Sequence, residues 1–324
     1  MNAAQLFPVK APRLTPERGV VTYGALNKEQ DKSGMARAAA KKKEGIWETV
    51  KTVFWALVIA MAFRSILYQP FSIPSGSMKP TLLVGDYLFV SKFSYGYSKY
   101  SFPFAPDLFE GRIWQSLPER GDVVVFKKPG ADTCSEGPLA FFQRFGNNLG
   151  SFVGLTSYAP GPNDCIDYIK RVVGLPGDEV QMIDGVLHVN GQIVGMERAP
   201  NFVEPKTPDG EYTLSTPCLN EPVPLRGSCE FEHWIEELPG GRKHSILNLR
   251  NSPYDNTDII KVRPDHILFM GDNRDNSVDG RFASVGQVPL ENLIGRADVI
   301  AISSGGAFWE LWKWRGSRFF KSIE

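Results

Sequence analysis

Histidine and cysteine are both scarce, four of each in 324 residues, and their placement removes several chemistries. His188, His233, His244 and His266 stand in strand- or loop-like contexts without metal spacing, so any nucleophile must find another base. There is no C-x-x-C, so neither a zinc knuckle nor a thioredoxin-like redox pair is indicated. The chain also lacks G-x-G-x-x-G, G-x-x-x-x-G-K-[ST], H-E-x-x-H and G-x-S-x-G, which sets aside dinucleotide-binding, P-loop, zincin and nucleophile-elbow chemistry. Net charge is missing too. Thirty-six basic side chains cancel 36 acidic ones, which argues against nucleic acid as a partner. Long apolar runs are absent but for one, which disfavours a polytopic membrane protein, and 42% hydrophobic against 22% charged residues argues against disorder throughout.

The zero sum hides segregation. Residues 1–45 hold nine Lys/Arg and four Asp/Glu, residues 308–324 hold four and two, and the remainder holds 23 and 30. The ends are basic and the body acidic. Residues 1–45 read as a flexible basic tail. From Thr52 to Met78 the only charge is Arg64, and Trp47, Trp55, Ile66 and Leu67 extend the apolar stretch, predicting one transmembrane helix over 46–68. A buried helix of a soluble core and a cleaved signal peptide, the latter suggested by Ala60-Met61-Ala62, are the competing readings. Arg37, Lys41, Lys42, Lys43 and Lys51 lie on the N-terminal side of the apolar stretch, against Arg64 and Lys79 beyond. The positive-inside rule then keeps the tail cytoplasmic and the body exported.

Beyond residue 80 short apolar runs alternate with turn signals, predicting a mainly β, antiparallel body. Strands are expected at Tyr87–Val90, Val123–Phe126, Ile166–Val173, His266–Met270 and Ala297–Ile302. Asp184-Gly185 and Asn190-Gly191 predict two successive hairpins with type I′ turns. The β body is expected over 69–194 and 263–306, with an insertion at about 127–163 and a smaller, loop-rich inserted β/loop region over 195–262. The aromatic and basic segment 307–324 suits either a bilayer interface or a helix packed on the body. Phe93, Tyr95, Tyr97, Tyr100, Phe102, Phe104, Phe109 and Trp114 leave the same two options open. Cys134, Cys165, Cys218 and Cys229 fit an oxidising compartment. Of the three pairings, Cys218 with Cys229 is preferred, because they lie 11 apart in a Pro- and Gly-bearing loop.

Two further features bear on chemistry. Asp275-x-Ser277-x-Asp279-Gly280 resembles the opening of a calcium loop, but its twelfth position is Gly286 instead of a bidentate Glu, so no metal is expected. Pro74-Ser75-Gly76-Ser77-Met78-Lys79-Pro80 combines two prolines, a permissive glycine and two hydroxyls, a segment able to present a hydroxyl rigidly. A serine-rich linker leaving the membrane is its bland alternative. Without histidine the available base is a lysine kept neutral by burial. In Asp167-Tyr168-Ile169-Lys170-Arg171-Val172-Val173, strand alternation puts Tyr168, Lys170 and Val172 on one face and Ile169, Arg171 and Val173 on the other, which predicts at least one cation enclosed by apolar neighbours; a solvated edge lysine is the bland alternative.

Four segments in order closely resemble the boxes of bacterial type I signal peptidases: Ser75 to Leu82 with Gly85-Asp86, Arg120 to Phe126, Asp167 to Gly174, and Met270 to Arg281. The resemblance runs from the anchor to about residue 300. It implies a serine endopeptidase that cleaves signal peptides from exported preproteins, with Ser77 as nucleophile and Lys170 as general base. It further implies that Ser75 and the Ser77 backbone N–H bind the oxyanion. Ser277 would orient the lysine by a hydrogen bond, and the ion pairs Asp272–Arg171 and Asp279–Arg281 would shape the wall behind it. Small residues of an Ala-x-Ala-like site would enter pockets lined by Phe71, Ile73, Pro74, Met78, Leu82 and Ile169. No cofactor is needed. Preproteins, the bilayer and neighbouring secretion machinery are the implied partners. Where the family often has serine, this chain has Gly280, which predicts a looser turn there. A pilus-maturation peptidase and a catalytically dead, membrane-tethered domain that binds a secretion partner are the rival readings.

Overall fold

A computed structural model describes residues 26–102, 109–130, 167–206, 218–248, 252–306 and 309–324, with side chains from residue 45 onward. The chain divides into two units, Met1–Ile59 and Ala60–Glu324. Helix α1 spans Leu26–Ile66. It starts inside the segment expected to be a flexible tail, because Ala36-Arg37-Ala38-Ala39-Ala40-Lys41-Lys42-Lys43-Glu44 consists of strong helix formers. Its 22-residue stretch Gly45–Ile66 is apolar and, at 1.5 Å per residue, about 33 Å long, enough to cross a bilayer core of roughly 30 Å. The helix ends two residues before the expected boundary, and a strand begins at Tyr68.

Fifteen strands are described: β1 (Tyr68–Ser72), β2 (Asp86–Ser91), β3 (Val123–Lys127), β4 (Asp167–Gly174), β5 (Glu179–Ile183), β6 (Val186–Val189), β7 (Gln192–Ile193), β8 (Gly195–Pro205), β9 (Ser228–Glu237), β10 (Lys243–Leu247), β11 (Ile260–Lys261), β12 (His266–Met270), β13 (Val288–Pro289), β14 (Leu293–Ser303) and β15 (Lys321–Ser322). The main sheet runs β1-β2-β14-β3-β4-β12-β13, with β15 also on β14, and is antiparallel throughout. β3 shows why the sheet needs cover on both faces. Val123 and Val125 point into a cluster with Ile73, Met78, Leu82 and Leu88, whereas Val124 and Phe126 join Val172, Ile267 and Phe269.

The sheet β11-β5-β6-β7 contains both expected hairpins. Asp184, Gly185, Asn190 and Gly191 have φ of 48°, 75°, 52° and 74°, the left-handed pair that a type I′ turn requires.

The region 195–262, expected as a smaller β/loop insertion with little core, is more ordered than its loop-rich composition suggests. It holds an antiparallel sheet β10-β9-β8 with its own small core of Cys218, Cys229, Phe231 and Leu247, and the Cys218–Cys229 disulfide is formed. Its strands carry a weak sequence signal because β8 is a half-exposed edge, where charged residues such as Glu197 and Arg198 dilute the period-two pattern. Cys134, Cys165, Phe104 and most of the insertion 127–163 lie outside the described residues.

Candidate active site

The segment after β1 is a loop whose ends are tied together. The Ile73 N–H donates to Asp86 O at 2.9 Å and the Gly85 N–H to Ile73 O at 3.0 Å. Within it the Lys79 N–H reaches Gly76 O at 3.1 Å and the Leu82 N–H reaches Met78 O at 2.9 Å. Met78 and Leu82 are sunk into the core beneath, at 1% and 0% exposure, so the loop is pinned from below as well as at its base. Ser77 rides on this turn with 8% exposure.

β4 brings the lysine to it. Nζ of Lys170 lies 2.7 Å from Oγ of Ser77 and donates to Ile169 O at 3.0 Å. The side chain is 4% exposed, on the same face as the Tyr168 ring, whose centroid is 5.6 Å from the amine. Burial pushes the amine down to about 8, against the opposing pull of Asp279 and Asp272 and with some help from Arg281. Oγ of Ser75 is 3.4 Å from Oγ of Ser77.

Two buried ion pairs stand behind the dyad. Arg171 grips Asp272 with Nε and Nη2, both at 2.8 Å, and its Nη1 donates to Gly121 O at 2.7 Å. Burial alone would raise the Asp272 carboxyl, but Arg171, His244 and the Thr81 hydroxyl outweigh it and hold it low. Asp279 receives Nε and Nη2 of Arg281 and the Gly271 N–H, each at 2.9 Å. These partners likewise outweigh burial and keep that carboxyl ionised.

The structure departs from the sequence expectations at three points. Ser277 is buried close to Ser77, yet its Oγ has no hydrogen-bond partner among the described residues. The bond expected from Ser277 to Lys170 is therefore not made, since the amine is directed at Ser77 and at the Ile169 carbonyl. Second, of the six expected pocket residues, Ile73, Met78 and Leu82 are core, leaving Phe71, Pro74 and Ile169 to offer surface to a ligand. Third, the turn at Gly280 is tight: its N–H donates to Phe269 O at 2.9 Å, and a Cβ there would meet that oxygen at 2.8 Å.

Several residues that matter here carry no chemical signature in the sequence. Asn273 holds Ser77 O through its backbone N–H and Gly76 O through its side-chain amide, both at 3.1 Å. Gly271 has no room for a side chain, because a Cβ would come within 2.2 Å of Ser277 Oγ and 2.7 Å of Ser77 O. Both fall inside the box ending at Arg281, which was the available signal. Glu236 and His244, buried beside Asp272, lie in the region expected to be loop-rich, and nothing in their spacing marks them.

A family model described as "Signal peptidase, peptidase S26" matches residues 46–302. The chain is similar to the Signal peptidase I of Rickettsia akari (strain Hartford), 34% identical over 277 residues, covering 81% of this chain and 84% of that protein. It is also similar to the Signal peptidase I of Rickettsia typhi, at 32% identity over 85% of this chain and 88% of the relative. For the Signal peptidase I of Rickettsia canadensis the identity is 33%, over 80% and 81%.

Proposed function

The chain belongs to the signal peptidase family, peptidase S26, and from that premise we propose that this serine endopeptidase cleaves with Ser77 as nucleophile and Lys170 as general base. The observation that carries the proposal is the 2.7 Å approach of Nζ to Oγ in a setting that lowers the amine to about 8. The neutral amine takes the Ser77 proton as Oγ bonds to the scissile carbonyl carbon. It returns that proton to the departing nitrogen as the C–N bond breaks, and water activated by the same amine then hydrolyses the ester. Ser75, 3.4 Å from Ser77 Oγ, stands beside the place where the oxyanion forms, as a donor with the Ser77 N–H. The Asp272–Arg171 and Asp279–Arg281 pairs fix the wall that surrounds the lysine.

The preprotein lies as an extended strand, its backbone giving affinity and its small side chains giving specificity against Phe71, Pro74 and Ile169. The span Gly45–Ile66 anchors the enzyme in the inner membrane with the basic tail cytoplasmic and the body exported. The domain organisation proposed is the one given above: tail, anchor, β body with its inserted region, and C-terminal segment. Trp114, Trp312 and Phe320, exposed at 82%, 77% and 75%, are the aromatic side chains that would meet lipid.

A labelled preprotein incubated with the wild-type protein and with Ser77→Ala tests the proposal. Cleavage is expected to disappear in the variant, and wild-type cleavage by Ser77→Ala would make another residue the nucleophile. Replacing the small residues of the Ala-x-Ala site by large ones is expected to block processing, and indifference to that swap would remove the pockets.

A further inference from the structure

Glu236, His244 and Arg274 form one buried charged cluster outside the dyad and its two ion pairs, and it leads back to the nucleophile. β9 and β10 pair so that Glu236 stands directly opposite His244. Both are sealed from water, at 0% and 1% side-chain exposure. Nε2 of His244 lies 3.2 Å from Oε2 of Glu236 without the alignment of a hydrogen bond. The same carboxylate oxygen accepts a hydrogen bond from Nη2 of Arg274, itself 2% exposed. Nε2 of His244 also sits 3.9 Å from Asp272, the carboxylate that Arg171 grips.

At this place the small sheet runs into the catalytic turn. The Leu247 N–H, at the end of β10, donates to Asp272 O at 2.8 Å, and Leu247 forms a parallel bridge with Asn273. Asn273 then holds Gly76 O and Ser77 O. On the other side of the nucleophile loop, Lys79 is paired with Glu204 of β8. All three strands of the small sheet therefore reach the turn that carries Ser77 or the turn that holds it.

We propose that the small sheet is a positioning element for peptide-bond cleavage: Glu236, through Arg274 and alongside the Leu247 backbone, fixes the Asp272-Asn273 turn that keeps Ser77 within reach of Lys170. None of these residues touches substrate, so each is a positioning residue. Removing the Glu236 charge leaves Arg274 buried without its carboxylate, and a buried unpaired charge is costly enough to move the turn that carries it. A shift of about 1 Å at a reacting group can cost about a hundredfold in rate. The inference rests on the reading of Ser77 and Lys170 as the dyad.

The test uses the full chain in detergent micelles cleaving a labelled preprotein. Glu236→Gln keeps the side-chain shape and removes the charge, and Arg274→Lys keeps a cation where Arg274→Met does not. Glu237→Gln is the control, being exposed on the same strand and paired with Lys243. Glu236→Gln is expected to lower kcat by about tenfold to a hundredfold with KM within about twofold. Arg274→Lys should retain more kcat than Arg274→Met, and Glu237→Gln should match the wild type. Rates are normalised to total folded protein, with thermal unfolding reporting the folded fraction. Unchanged kcat in folded Glu236→Gln, or a change confined to KM, overturns the inference. So does failure of Glu236→Gln to fold, which would make the cluster a folding determinant alone. If Ser77→Ala still cleaves, the dyad reading fails; if Ser77→Ala is dead and Glu236→Gln is unimpaired, only the positioning role fails.

Discussion

If Lys170 is the base proposed above, the burial that withholds water from its amine has a measurable pH signature. Its amine is lowered from 10.5 to about 8, first by burial. kcat/KM is therefore expected to rise with pH and level off above about 8, where the amine is neutral; a profile flat from pH 6 to 9 would contradict this. The same shift bears on stability with a definite sign. Between about 8 and 10.5 the unfolded chain holds more protons than the folded one, so stability rises with pH across that window, and below it the penalty is complete. The shift corresponds to a penalty on the order of 3 kcal/mol. Lys170→Met, inactive, is expected to be more stable than the wild type at pH 7, with the gap narrowing by pH 10, as read by denaturant titration. Ser75 is neighbour to the reacting oxygen instead of its base, so Ser75→Ala should reduce kcat by about a hundred- to a thousandfold while leaving KM nearly unchanged.

Among the elements, the C-terminal segment has a role that its composition concealed. Arg318 donates to Thr81 O at 2.9 Å and holds the buried Asp86 carboxylate, which also accepts from Ser303 Oγ at 2.6 Å and from the Leu83 N–H at 2.8 Å. Arg315 donates to Val84 O at 2.6 Å. The last turns of the chain thus strap the far end of the nucleophile loop. Arg318→Ala is expected to destabilise by about 2 kcal/mol and to lower kcat, since hydrogen bonds between charged groups are worth about 1.5–3 kcal/mol each and Arg315 remains nearby. Equal melting temperatures for the two proteins would show that the strap is slack. The aromatic residues of this segment and of 93–114 read as a membrane interface or as packing, and the structure divides them: Tyr95 is buried at 2% exposure, whereas Trp114 and Trp312 stay exposed.

For the molecule as a whole, the exposed aromatics and the apolar span predict two separable contacts with lipid. Trp114→Ser combined with Trp312→Ser should weaken binding of a variant lacking α1 to anionic vesicles in a flotation assay. Equal binding would make those rings incidental. The sequence by itself determined the mainly β body, the two hairpin turns, the apolar span and the serine and lysine that meet, because each is written in local features: period-two alternation, Asp-Gly and Asn-Gly pairs, charge-free length and a rigid Pro-Ser-Gly-Ser segment. It did not determine the helix start at Leu26, where good helix formers carry the turn through a segment whose charge suggested a tail. Nor did it determine the small sheet, whose half-exposed strands lose the alternation that a reader needs. The setting of the dyad was decided only in three dimensions. The lowering of the Lys170 amine, the support of Ser77 by Asn273 and the buried Glu236–Arg274 contact join residues up to 197 positions apart. A neutral buried amine is a property of the whole enclosure, and no local stretch of chain can specify it.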